Sequence, residues 1–135
     1  VYLCYGLHVM LNVVTGEDGS AAAVLVRSAE PIVGLDVVRA RRGDRDGPVL
    51  LTGPGKLGAA LALDVAWSGH RLFEPGGLEL HAGEPPRRIL TGPRVGIDYA
   101  SARDRRRAWR FAIADTRWIS VPKSLRPVPS RARTH

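Results

Sequence analysis

The apolar positions of this chain are densest at its start, Val1-Tyr-Leu-Cys-Tyr-Gly-Leu-His-Val-Met-Leu-Asn-Val-Val14. Two β-prone arms flank Tyr5-Gly6. The first, Val1 to Cys4, is short and aromatic. The second, Leu7 to Val14, is longer and is interrupted by His8 and Asn12. Glycine between two such arms predicts a tight bend and therefore a hairpin. The bend puts the ring of Tyr5 at the tip, where a plain structural hairpin has no use for it. A ring in that place suits a part that pushes into something. The chain starts at Val1 with no element ahead of the hairpin, so it reads as a piece of a longer protein.

Further along, Thr15 to Ser20 is a turn cluster, and Ala21 to Arg27 reads as a strand because its end is β-branched. Glu30-Pro31 predicts a helix start, with Ile32, Leu35 and Val38 on helical spacing and a fade near Arg41-Arg42. Leu51 to Asp64 is a glycine-rich opening followed by an Ala/Leu helix. Lys56 beside such an opening is compatible with a phosphate contact, although the spacing is not that of a Walker A loop. Val65 to Pro75 predicts a loop packed by Trp67 and Phe73. Strands are expected at Leu78 to His81, Arg87 to Leu90, Trp109 to Ile113 and Trp118 to Val121. Gly92 to Ile97 reads as a loop around a buried Val95. From Pro122 to His135 the pattern forms no core, so a basic, disordered tail is expected after a body of residues 1–121.

Composition narrows the classes. At 135 residues with 44% hydrophobic content, the chain can bury one modest core. No apolar run nears the ~20 residues of a membrane helix, and no signal peptide is visible. Cys4 is alone, which excludes an internal disulfide and a cysteine-based zinc site and makes a cytoplasmic compartment the default. Twenty basic residues face thirteen acidic ones, and eighteen of the twenty are arginine. The net charge of +7 points to a polyanionic partner, nucleic acid being the simplest. Biased residue usage explains the same numbers equally well. A dense basic patch lies at Arg103, Arg105, Arg106 and Arg107.

Chemistry is harder to find. His8, His70, His81 and His135 lack metal-ligand spacing, and neither a Ser/His/Asp nor a Cys/His set can be assembled. Glu17-Asp18 and Asp44/Asp46 fall in polar turns. Without further information the chain is a nucleic-acid binder with an aromatic probe.

Five segments, in order, resemble the alkylpurine (3-methyladenine) DNA glycosylase family. They are Tyr2 to Val14, Ala23 to Pro31, Gly53-Pro-Gly-Lys-Leu57 with Ala60-Leu61, Gly92-Pro-Arg-Val-Gly-Ile97, and Trp109-Arg-Phe111 with Ser120. The resemblance implies an α+β fold in a single domain, with a curved antiparallel sheet, flanking helices and a protruding β-hairpin at the N-terminal end of this chain. It implies base-excision DNA repair, in which a damaged purine nucleotide is flipped from the duplex and its N-glycosidic bond is hydrolysed. Tyr5 then corresponds to the minor-groove wedge, with Gly6 in the bend and Leu7 against neighbouring bases. Tyr2 corresponds to the pocket ring that stacks on an alkylated, cationic purine, and Asn12 to the pocket floor that disfavours the exocyclic amine of guanine. Arg27 and the Val95 carbonyl correspond to the groups that position the attacking water. Lys56 and Arg94 are candidate phosphate contacts. The implied partner is double-stranded DNA carrying an alkylated or deaminated purine. The protein is expected to be a nucleoid-associated monomer with no membrane contact, metal or other cofactor.

One departure stands out. The family's general base is a glutamate in a segment before the hairpin, and the first acidic residue here is Glu17, after it. General-base catalysis typically supplies about 10²–10⁴-fold, so this chain alone is expected to be inactive, as the C-terminal portion of a glycosylase. A non-catalytic DNA-binding fragment that keeps the wedge is the alternative. A basic structural or ribosome-associated protein is a third reading, from charge alone.

Overall fold

Tyr2–Cys4 (β1) and His8–Met10 (β2) pair antiparallel in the computed structural model, which describes residues 1–128. The register sets Tyr2 opposite Met10 and Cys4 opposite His8, leaving Tyr5, Gly6 and Leu7 as the loop. The second apolar arm is not one strand. It breaks at Leu11 and resumes as Asn12–Thr15 (β3), which pairs with Ala22–Leu25 (β4), Asn12 opposite Leu25 and Thr15 opposite Ala22. The Leu11 carbonyl accepts from the Val26 N–H at 3.0 Å, so the break is itself hydrogen-bonded. The chain thus passes from one two-stranded sheet to another across one residue.

These elements belong to the first of two compact units, Val1–Ala82. Its first helix, Leu35–Arg41 (α1), starts later than the Glu30-Pro31 signal predicts. Gly34 takes a left-handed conformation (φ +77°), which closes off a helix from upstream and leaves Ile32 and Val33 exposed. The second, Pro54–Ala60 (α2), follows the glycine-rich signal, with proline in its first turn. Leu50, Leu51, Leu57, Ala60 and Leu63 form the buried core of this unit. Arginines cap it: Arg41 Nη1 donates to the Ala60 carbonyl at 2.9 Å and Arg42 Nε to that of Leu50 at 3.1 Å. In the expected aromatic loop, Trp67 meets His70 edge to face at 5.0 Å, but Phe73 is exposed.

The second unit begins at Gly83. Ile89–Gly92 (β5) is central, flanked antiparallel by Arg110–Ile113 (β6) and Arg126–Pro127 (β7). Ala102–Arg106 (α3) is a single capped turn and a half, in which the Ser101 hydroxyl accepts from the Asp104 N–H at 3.1 Å. Leu78–His81 and Trp118–Val121 are not strands. Trp118 is buried instead, as are Ala114 and Leu125, and a ring of that size buries a large apolar area. The expected tail from Pro122 is also corrected through Val128. Pro122–Ser124 makes a 3-10 turn, Leu125 is buried and Arg126–Pro127 joins the sheet. Gly92 admits this return: a Cβ there would lie 2.3 Å from the Ser124 carbonyl oxygen. The rest of the expected tail, 129–135, lies outside the described residues.

Helices accompany strands whose pairing is antiparallel throughout, so the fold is α+β. The pairing is divided among three small sheets rather than one curved sheet. Among the described residues no helix is long and apolar enough to cross a membrane.

Candidate nucleic-acid interface

The hairpin tip is built by backbone conformation. Tyr5 (φ +50°) and Gly6 (φ +67°) both lie in the left-handed region, and the Leu7 N–H donates to the Cys4 carbonyl at 3.0 Å. Positive φ at both central positions is the turn whose twist matches a hairpin. Glycine takes it without strain, whereas tyrosine takes it at a cost. The ring therefore occupies a disfavoured conformation and is 92% exposed, with Leu7 beside it at 78%. The fold derives no packing energy from either side chain.

Behind the tip, α2 braces the hairpin. A Cβ at Gly58 would sit 1.9 Å from the Val9 carbonyl oxygen, and one at Gly55 would sit 3.0 Å from the His8 ring. Two glycines, three residues apart on one helix face, let α2 lie directly on the β2 backbone. His8 is thereby held as part of this packing. The Lys56 stem runs along Gly53 on the same helix, and its ammonium forms no hydrogen bond or ion pair among the described residues.

Tyr2 sits on β1, largely exposed, and Asn12 opens β3, half-buried, with Nδ2 donating to the Met10 carbonyl at 3.4 Å. Arg27 follows β4 and is half-buried next to the Ser28–Thr52 bridge. The first unit thus gathers Tyr2, Tyr5, Gly6, Leu7, Asn12, Arg27 and Lys56 on its two small sheets and α2. Val95 and Arg94 belong to the second unit. Val95 is exposed, against the expectation of burial, whereas Arg94 and Ile97 of the same loop are half-buried. Arg94 is half-buried. Its guanidinium stands 5.2 Å from the Trp109 ring centroid, and its Nη2 lies 3.5 Å from the Asp104 carbonyl.

The pattern of residues failed to flag Arg110. It is 5% exposed and ties three backbone stretches together. Nε donates to the Pro93 carbonyl at 2.9 Å, Nη1 to those of Ser120 and Val121 at 2.9 and 3.0 Å, and Nη2 to the Ser124 hydroxyl. Burial pulls its pKa below the ordinary arginine value by desolvating the cation. The available signal was its place between Trp109 and Phe111, which alternation assigns to one face and the arginine to the other. Among the described residues no group of three or more His, Cys, Asp or Glu could hold a metal ion.

These features define an α+β protein with an exposed aromatic ring at the tip of a braced hairpin. The chain belongs to the methylpurine-DNA glycosylase family, whose profile matches residues 1–117. A DNA-3-methyladenine glycosylase of Arabidopsis thaliana is 55% identical over 131 residues, covering 95% of this chain and 52% of the relative. A candidate 3-methyladenine DNA glycosylase of Nitrosococcus oceani is also 55% identical, over 94% of this chain and 63% of its own length. A similarly named protein of Nocardia farcinica is 42% identical over 98% of this chain and 62% of its own length. The chain therefore spans between half and two thirds of the length of these relatives.

Proposed function

We propose that this chain is part of a base-excision repair glycosylase that removes alkylated purines of the 3-methyladenine type from duplex DNA. The carrying observation is Tyr5, a fully presented ring on a backbone that disfavours it, mounted on a hairpin locked to α2. A side chain kept in a strained, unpacked position is explained by a partner rather than by the fold.

In this reading the Tyr5 ring enters the minor groove and fills the space of the extruded nucleotide, offsetting an unstacking cost of a few kcal/mol. Gly6 permits the bend, and Leu7 packs against adjacent bases. Tyr2 stacks on the flipped purine, whose positive charge after alkylation favours an electron-rich ring. Asn12 disfavours the exocyclic amine of guanine. Lys56 and Arg94 contact phosphates. Water attacks C1′ of the sugar as the N-glycosidic bond breaks. Its oxygen bonds to carbon, the purine leaves with the bonding pair, and the water proton passes to a general base. Arg27 and the Val95 carbonyl orient that water. The family's glutamate base has no counterpart before the hairpin among these 135 residues, so in this reading the chain by itself turns over nothing. The protein works as a monomer on nucleoid DNA.

A single-turnover assay on a duplex with one hypoxanthine tests this. The 135-residue chain binds the duplex without releasing base, and the same chain extended upstream in its reading frame releases it. The second reading, a non-catalytic DNA-binding fragment, rests on Glu17 being the first acidic residue. It predicts that no upstream extension confers release.

A further inference from the structure

The net charge of the protein is not shared between its units. Residues 1–82 carry seven basic and nine acidic side chains, a net of −2, whereas residues 83–135 carry thirteen basic and four acidic, a net of +9. The hairpin arms, Val1 to Val14, contain no Asp, Glu, Lys or Arg. The element proposed to enter DNA therefore brings almost none of the phosphate attraction that dominates affinity for a duplex.

Local pairing sharpens the contrast. In the second unit Arg88 pairs with Asp115, Arg107 lies 3.5 Å from Asp104, Arg110 is buried among carbonyls, and Arg126 donates to the Lys123 and Leu125 carbonyls. Arg103, Arg105 and Arg106 of α3 are exposed and form no hydrogen bond or ion pair among the described residues. Arg103 and Arg106 stand three apart, on one helix face. Next to them, the Arg107 guanidinium lies 4.3 Å from the Trp109 ring centroid, and Trp109 is itself 53% exposed. A cation held over a ring has less freedom to lose when it meets a phosphate.

Building on the glycosylase reading, we propose that α3, through Arg103, Arg105 and Arg106, is the surface that binds the DNA backbone regardless of sequence or damage. Affinity for ordinary duplex is set mainly by the second unit, with Lys56 adding one phosphate contact from the first, and discrimination of the lesion by the hairpin of the first. Such a division lets the protein hold undamaged DNA while it searches, without spending the wedge on it.

The test is equilibrium binding of the 135-residue chain to an undamaged duplex and to one with a single hypoxanthine, across about 50–200 mM salt. The R103Q/R105Q/R106Q variant is expected to lower the slope of log affinity against log salt by about two to three units, at ~0.9 per phosphate contact. Affinity for the two duplexes should fall by the same factor, leaving their ratio unchanged. R103K/R105K/R106K keeps the charge and should keep the slope, which separates lost attraction from lost folding. Arg45→Gln, which removes an exposed arginine of the first unit, should leave the slope as it was. A triple Gln variant with the wild-type slope overturns the proposal, as does a Lys variant that loses it or a ratio that collapses with the slope. If the unsubstituted chain binds neither duplex, the glycosylase reading itself fails. If it binds both and α3 proves irrelevant, only this inference does.

Discussion

Gly58 of α2 and Val9 of β2 approach so closely that any side chain at position 58 would enter the Val9 carbonyl: a Cβ there lies 1.9 Å from the oxygen. Real Cβ atoms do not come that near, and the obstacle is backbone, which cannot swing aside. Gly58→Ala should therefore lift α2 from the hairpin and lower stability by about 2–4 kcal/mol, above the usual overpacking cost. Denaturant unfolding measures this, and an Ala variant within 0.5 kcal/mol of wild type, roughly the size of an ordinary surface effect, would refute the close approach.

Replacing Tyr5 separates folding from recognition. Its ring is exposed and its φ is positive, so Tyr5→Gly removes strain and should leave stability unchanged or raise it by up to about 1 kcal/mol. The same change should weaken binding to a duplex with one hypoxanthine by about 1–3 kcal/mol, the worth of one aromatic–base stack. Thermal unfolding and fluorescence titration read the two effects separately. A large loss of stability with no loss of binding would reverse the assignment.

Arg110→Met should be among the most damaging substitutions in the second unit. It leaves the Pro93, Ser120 and Val121 carbonyls without their donor in a buried place, a loss of about 3–5 kcal/mol. Arg110→Lys should rescue little, since one ammonium cannot reach three separated stretches as a planar fork does. The comparison is made by unfolding both variants under one set of conditions.

Shortening the chain to end at Val121 tests the corrected boundary. It removes buried Leu125, the Ser124 hydroxyl that accepts from Arg110, and the β7 pairing to β5. Burial of one leucine alone is worth about 1.5–3 kcal/mol. A chain ending at Val128 retains these contacts, and one ending at Val121 should be less stable than it.

Much of this was legible in the order of residues. The hairpin, the strand before Arg27, the glycine-opened α2 and the strand after Trp109 each rest on a local signal, and each formed. So did the family resemblance, since five short segments carried it. What was not legible depends on partners remote in sequence. Leu11 looks like one more apolar residue in a run, and only pairing with Val26 makes it the break between sheets. Gly34 overrides the helix signal at Pro31 by a single backbone angle. Arg110 reverses ordinary alternation, burying the cation and exposing Trp109 and Phe111, because four acceptors converge from elsewhere in the chain. The roles given to Tyr2, Asn12, Arg27 and Val95 remain those implied by family membership, and the geometry places the first three in one unit and Val95 in the other.

The one-residue break at Leu11 has a mechanical meaning. Because β2 and β3 are consecutive but serve different sheets, the arm carrying Tyr5 is clamped at its base by α2 and anchored again, one residue later, by β4. A load on the tip is borne by two fixed points rather than by a lone ribbon, as a cantilever is held by a built-in end. Only the three residues of the bend, Tyr5 to Leu7, lie beyond both supports, so the overhang that carries the ring is short.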